Sequence, residues 1–327
     1  MEKNYLYLLH QLDELSDNTG NTYGLFNGKT GLCMAYFLLA DTARSAEDKI
    51  ICQQKARALL DEISDNIGAV GKLCFSEGLA GIGWGIEWLV QNGYVDANTD
   101  DILEDLDDEL YKTVVFSRSP GIALSDGTLG KAMYFLKRLM AENPDPDRCR
   151  IICIKECMIL LIDELNAALF NEETGLLVVD KICQPGDNLN DQTPASLTPS
   201  AIIETGQTLV FLAKIVSNSL NIEIIENMIS SILTFIRKFD SGYKTGTHPE
   251  TDAARDHLLY SWQIAATLLR DTHGYEEAIT KSGKKYVLPE TGKYPRDQSA
   301  KIFEWFCSYH TQYDSRNSRW QEAWLLQ

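Results

Sequence analysis

The feature that most constrains this chain is a short glycine pattern, G-x-x-G followed by an apolar run, that returns at a nearly fixed interval. It opens "NGKTGLCMAYFLLA" at Gly28, "EGLAGIGWGIEWLV" at Gly78 and "DGTLGKAMYFLKRL" at Gly127, intervals of 50 and 49 residues. Beyond the Gly78–Gly81 pair, the middle copy adds Gly83 and Gly85 to an otherwise strongly apolar helical segment. A glycine inside a helix costs about 1 kcal/mol relative to alanine, so the bare backbone answers a packing demand. A period near 50 predicts a repeat architecture built from one supersecondary unit. A fourth copy, "AIIETGQTLVFLAKI", keeps Gly206 but has Ile203 at the first glycine position.

Between these apolar segments lie amphipathic ones. "EDKIICQQKARALLDEI" is expected to bury Ile51, Ala58, Leu59 and Ile63, and "NTDDILEDLDDELYKTV" to bury Ile102, Leu106, Leu110 and Val114. "CRIICIKECMILLIDELNAAL" and "NIEIIENMISSILTFIRKF" read as two more long helices, the first with Cys149, Cys153 and Cys157 in one row that is expected to be core. The unit is therefore a helix pair, and the fold class is all-α. Such pairs close into a toroid of six to seven repeats when the apolar helices line the inside and the amphipathic ones coat the outside. The glycines are then expected where inner helix starts crowd together. "HLLYSWQIAATLL" and "SRWQEAWLLQ" are candidates for later inner helices, and "GLLVVD" at 175–180 is the one strand candidate.

The charge balance excludes some functions. With 47 acidic residues against 30 basic ones, a net charge of −17, the chain lacks the clustered cations that nucleic acid or an anionic membrane surface requires. The first residues, "MEKNYLYLLHQLDELSDN", have no signal-peptide pattern and no apolar run is long enough to span a membrane. A cytoplasmic location is the expectation, with the eight cysteines as thiols. The irregular stretches 170–200, 240–255 and 281–297 are read as excursions over one rim of a single domain, 1–327.

The glycine repeats resemble the lanthionine synthetase C-like (LanC-like) family, most specifically in "GLAGIGWGIEWL". The likeness is closest over about residues 20–145. It implies an α/α toroid and a role in maturing ribosomal peptides, with a precursor peptide or a peptide-modifying enzyme as partner. It also implies a zinc-dependent cyclase, in which a metal-bound cysteine thiolate of the precursor adds to a dehydrated Ser or Thr. Zinc would deprotonate that thiol at neutral pH. The family's zinc ligands, however, include a "CHG" motif that this chain lacks, and its single His-Gly pair, His273-Gly274, follows a helix. The residue before the first glycine is Asn27, Glu77 or Asp126 in the good repeats and Ile202 in the poor one. The chain is therefore expected to be a divergent member, either a cyclase with a rearranged metal site or a catalytically silent relative that binds a precursor peptide or partner enzyme.

Other groupings give further candidates. Glu77 and Asp126 hold equivalent repeat positions, so a ring would bring both to its mouth as an acid/base pair. On a carbohydrate-active α/α barrel such a pair would serve glycoside hydrolysis. Their ordinary alternative is capping, in which Asp126 with Ser76 or Ser125 caps helix N-termini. Asn27, Trp84 and His257 are candidate binding residues, Trp84 and Trp88 being either stacking platforms or core. His248 and His257 are placed in or just after a rim loop, where either could carry a proton. Cys307 and His310 of "CSYH", together with Cys183, form a possible three-ligand metal set; the competing reading packs Cys307 beside Trp305 and lets His310 cap a helix end.

Overall fold

A computed structural model describes residues 2–26, 28–170, 198–216, 222–243, 249–283 and 305. The period of 50 resolves into inner and outer helices. The inner ones are α2 (Lys29–Thr42), α4 (Leu79–Gln91), α7 (Thr128–Leu139), α9 (Pro199–Ile215) and α11 (Pro249–Leu268). They are buried on nearly every side; α2, for example, buries every residue from Thr30 to Ala40. The outer ones are α1 (Glu2–Thr19), α3 (Ala46–Asn66), α6 (Glu104–Phe116), preceded by the one-turn α5 (Thr99–Ile102), α8 (Arg148–Leu169), α10 (Ile222–Gly242) and α12 (Thr272–Ser282). Each outer helix buries a single stripe, such as Ile225, Met228, Ile229, Ile232, Phe235 and Ile236 of α10. The inner helices pack in chain order, α2 on α4, α4 on α7, α7 on α9 and α9 on α11.

The first helix meets a residue far along the chain. Trp305, 2% exposed, donates its indole N–H to the Leu8 carbonyl of α1 at 2.9 Å. The buried apolar side chains form one contiguous cluster from Tyr5 to Trp305. This closes the array into an α/α toroid, as the repeat pattern predicts.

The glycines have a more specific job than crowding at helix starts. Gly28, Gly78 and Gly127 are the N-caps of α2, α4 and α7, and none carries a side-chain cap. The loop before each helix folds back onto it instead. The first helical N–H bonds the carbonyl seven residues earlier in all three repeats: Lys29 to Thr22, Leu79 to Lys72 and Thr128 to Gly121, at 3.0, 2.9 and 2.9 Å. These bonds satisfy donors that a Ser or Asp cap would otherwise take. A Cβ on Gly78 would stand 2.7 Å from the Cys74 nitrogen, closer than real side chains come, so only glycine admits the fold-back. The second glycine makes room both for its own loop and for the neighbouring repeat. A Cβ on Gly81 would press on the Phe75 carbonyl and reach Leu25 Cβ at 3.0 Å, and one on Gly130 would reach Phe75 Cβ at 2.6 Å.

Several expectations need correction. Ser76, Ser125 and Asp126 do not cap α4 or α7, because the glycines occupy those positions. The degenerate fourth repeat starts earlier than Ile203: α9 begins at Pro199 with an ordinary cap, Thr198 Oγ1 accepting from the Ala201 N–H at 3.2 Å. Gly206 keeps its function, since a Cβ there would meet Ser261 Oγ of α11 at 2.8 Å. On α3 the buried face is Cys52, Ala56, Leu59 and Ile63, while Ile51 is 39% exposed and Ala58 is exposed. Ile102, the last residue of α5, is 52% exposed because the chain kinks between α5 and α6, and Leu103 takes the core position. The thiol row of α8 is also split, with Cys157 buried and Cys149 and Cys153 exposed. The strand candidate 175–180 and the helix candidate at "SRWQEAWLLQ" lie outside the described residues.

Candidate functional site

The mouth of the ring is built by the loops that precede α2, α4 and α7. Adjacent loops are stitched by backbone hydrogen bonds in strict repeat register. Phe26 N–H donates to the Ser76 carbonyl at 3.0 Å, and Ser76 N–H donates to the Ser125 carbonyl at 2.9 Å, each pair at the same place in its own repeat. Phe75 N–H shares the Ser125 carbonyl at 3.0 Å. Beneath them Leu25, Phe75 and Leu124 are buried. Phe75 meets Phe26 edge-on at 5.8 Å and Trp84 at 6.2 Å between ring centroids. The three loops are therefore joined along the rim, which carries Glu77 and Asp126 at equivalent positions of adjacent repeats.

Glu77 forms an ion pair with Lys72 of its own loop, a partner the sequence reading missed. The Glu77 bond and charge hold the exposed Lys72 ammonium above its ordinary pKa. The signal was present in "GKLCFSEG", where the fold-back brings positions 72 and 77 together. Asp126 is exposed and accepts a hydrogen bond from Ser125 Oγ at 3.0 Å. Cys74 is half-buried, its sulfur 3.9 Å from Ser76 Oγ. This arc offers carboxylates, hydroxyls and one ammonium.

The remaining candidates fall elsewhere. Trp84 and Trp88 are each 1% exposed and belong to the core; Trp84 has the Lys137 ammonium 5.6 Å from its ring centroid, and Trp88 stacks on Tyr94 at 5.4 Å. His257 is not in a loop but within α11, buried, with its backbone carbonyl accepting from Ser261 Oγ at 3.0 Å. Asn27, His248, Cys183, Cys307 and His310 lie outside the described residues. Among the described residues no three His, Cys, Asp or Glu side chains converge so as to hold a metal ion. The described part of the mouth supplies one half-buried thiol and carboxylates, and does not fit zinc's preference for several N and S donors.

A solved structure of nisin cyclase matches with a TM-score of 0.63 over 100% of this chain and 98% of that one. The chain has the α/α-toroid fold of nisin cyclase. Sequence identity to nisin cyclase is only 13%, so the likeness concerns the architecture. No protein-family profile and no curated protein matches the sequence. Among the described residues, no helix is long and apolar enough to cross a membrane.

Away from the mouth, one buried polar network ties five helices together. The Arg138 guanidinium of α7 has no exposed surface and donates to Glu87 Oε2 of α4 at 2.6 Å, Asp100 Oδ1 of α5 at 2.9 Å and Asp107 Oδ2 of α6 at 2.8 Å. Thr99 Oγ1 accepts from it at 2.9 Å. Tyr134 donates to Asp107, and Arg150 of α8 reaches the same carboxylate at 3.3 Å. Burial by itself would lower the Arg138 pKa, but the bonds and charge of Asp107 and the charge of Glu87 hold it above its ordinary value. The signals in the sequence were Glu87 inside "GIGWGIEWLV" and Arg138 inside "AMYFLKRL", charges set at apolar positions.

Proposed function

We propose that this protein is a LanC-like component of ribosomal peptide maturation that holds a precursor peptide at the rim of the toroid and does not itself close thioether rings. The observation that supports this most is the donor set of the mouth. On the fold of nisin cyclase, the described positions before the first glycine present Glu77, Asp126 and, in the degenerate repeat, Ile202, and no imidazole or second thiol joins Cys74 among the described rim residues. A rim of fixed carboxylates and hydroxyls on a chain of net charge −17 favours a peptide with basic side chains through complementary charge.

The test uses a synthetic peptide that contains dehydroalanine, cysteine and several lysines. Thioether formation is an addition, so peptide mass is unchanged while one thiol is lost to alkylation. Saturable binding by fluorescence anisotropy, with no protein-dependent loss of alkylatable thiol, is the expected result. Glu77→Lys with Asp126→Lys should weaken that binding at least tenfold. Protein-dependent loss of the thiol, accompanied by about one zinc per chain by elemental mass spectrometry, would overturn the proposal. So would binding that is indifferent to the rim substitutions.

A further inference from the structure

Two of the three thiols in the α8 row face solvent, and their placement has a consequence. Cys149 and Cys153 are both exposed, four residues apart in the first turns of a 22-residue helix, whereas Cys157, one step further, is fully buried. Rows of spacing four are inclined to the helix axis, so this one runs from solvent into the core. Side chains four apart on a helix share a face, with Cβ atoms about 5–6 Å apart. That is too far for a disulfide, whose Cβ atoms sit about 3.5–4.5 Å apart. It suits two sulfurs that clasp one ion between them, a span of about 4.6 Å for two metal–sulfur bonds of about 2.3 Å.

The geometry points to a surface site on α8, formed by Cys149 and Cys153, that takes a soft two-coordinate cation of the copper(I) class. Among the described residues no third donor completes a cluster there. That disfavours zinc, which requires three or four protein ligands, and favours an ion satisfied by two thiolates. Binding releases two protons and leaves a bis-thiolate complex of net charge −1. Partial positive charge at the α8 N-terminus accommodates that anion. The helix start is well fixed, since Asp147 Oδ1 accepts from the Cys149 N–H at 2.8 Å. Cys157 is enclosed in the core, out of reach of an ion held at the surface.

The test is anaerobic titration of the reduced protein against copper(I) held by a chromophoric bicinchoninate competitor. The site should withdraw one equivalent, and Cys149→Ser and Cys153→Ser should each weaken that withdrawal at least 100-fold, with Cys157→Ser leaving it unchanged. Equal withdrawal by the native protein and by Cys149→Ser or Cys153→Ser would overturn the assignment, as would no withdrawal by the native protein. Peptide mapping after mild oxidation gives a second check. A Cys149–Cys153 disulfide within one chain would refute the geometry.

Discussion

Replacing Arg138 with methionine tests the buried network directly. The side chain is completely enclosed and serves Glu87, Asp100, Asp107 and Thr99 at once. Methionine retains most of the stem's packing but leaves Glu87, also fully enclosed, with no cation, because Arg150 reaches only the acids of α6. Removing one partner of a buried pair costs about 3–5 kcal/mol, chiefly from the charge left behind. At about 2.1 cal/mol/K per residue the unfolding entropy of 327 residues is about 0.7 kcal/mol/K, so a 4 kcal/mol loss lowers Tm by about 6 °C. Urea unfolding followed by circular dichroism measures the free energy and scanning calorimetry the midpoint. The companion variant Arg138→Met with Glu87→Gln removes the stranded charge while preserving hydrogen bonds to Thr99 and Gln91. It should recover at least 1.5 kcal/mol of the single variant's loss. An Arg138→Met protein within 1 kcal/mol of native, or two substitutions whose effects simply add within about 0.5 kcal/mol, would refute the reasoning.

Gly81→Val should destabilise by several kcal/mol, since even a Cβ would collide with the Phe75 carbonyl and overpacking typically costs about 1–3 kcal/mol before any backbone clash; an unchanged melting temperature would count against the stitched rim. Arg270, at φ 58° after α11, occupies the left-handed position where helices usually end in glycine, so Arg270→Gly should stabilise by about 0.5–1 kcal/mol in urea unfolding. Lys131 stands where the equivalent repeats have the buried Leu32 and Ile82, and burial lowers its pKa while the Glu164 charge opposes that shift. A lysine depressed in the folded state carries its full penalty at pH 7 and loses it as the pH rises through the folded value toward the unfolded one. Lys131→Leu should therefore raise stability at pH 7 by about 0.5–1 kcal/mol and by less at pH 10; a gain that grows with pH would contradict the sign.

The all-α ring was legible because its cause is local and periodic. Gly28, Gly78 and Gly127 recur at intervals of 50 and 49, and a stripe such as that of α10 marks an outer helix whatever its neighbours are. Burial at the edges of stripes was less legible, as Ile51 and Ile102 show, because a kink or a small rotation moves a residue across the boundary between core and solvent. Three things belonged to the tertiary structure alone. One is the loop that folds back on each glycine cap and pairs Lys72 with Glu77. Another is the convergence of Arg138, Glu87, Asp100 and Asp107 from separate helices. The third is the exposure of Cys149 and Cys153 beside the burial of Cys157. Periodicity along one segment reports which face of a helix is apolar. Which charges meet, and which thiols face water, depends on how helices distant in sequence are set against one another, and no single segment encodes that.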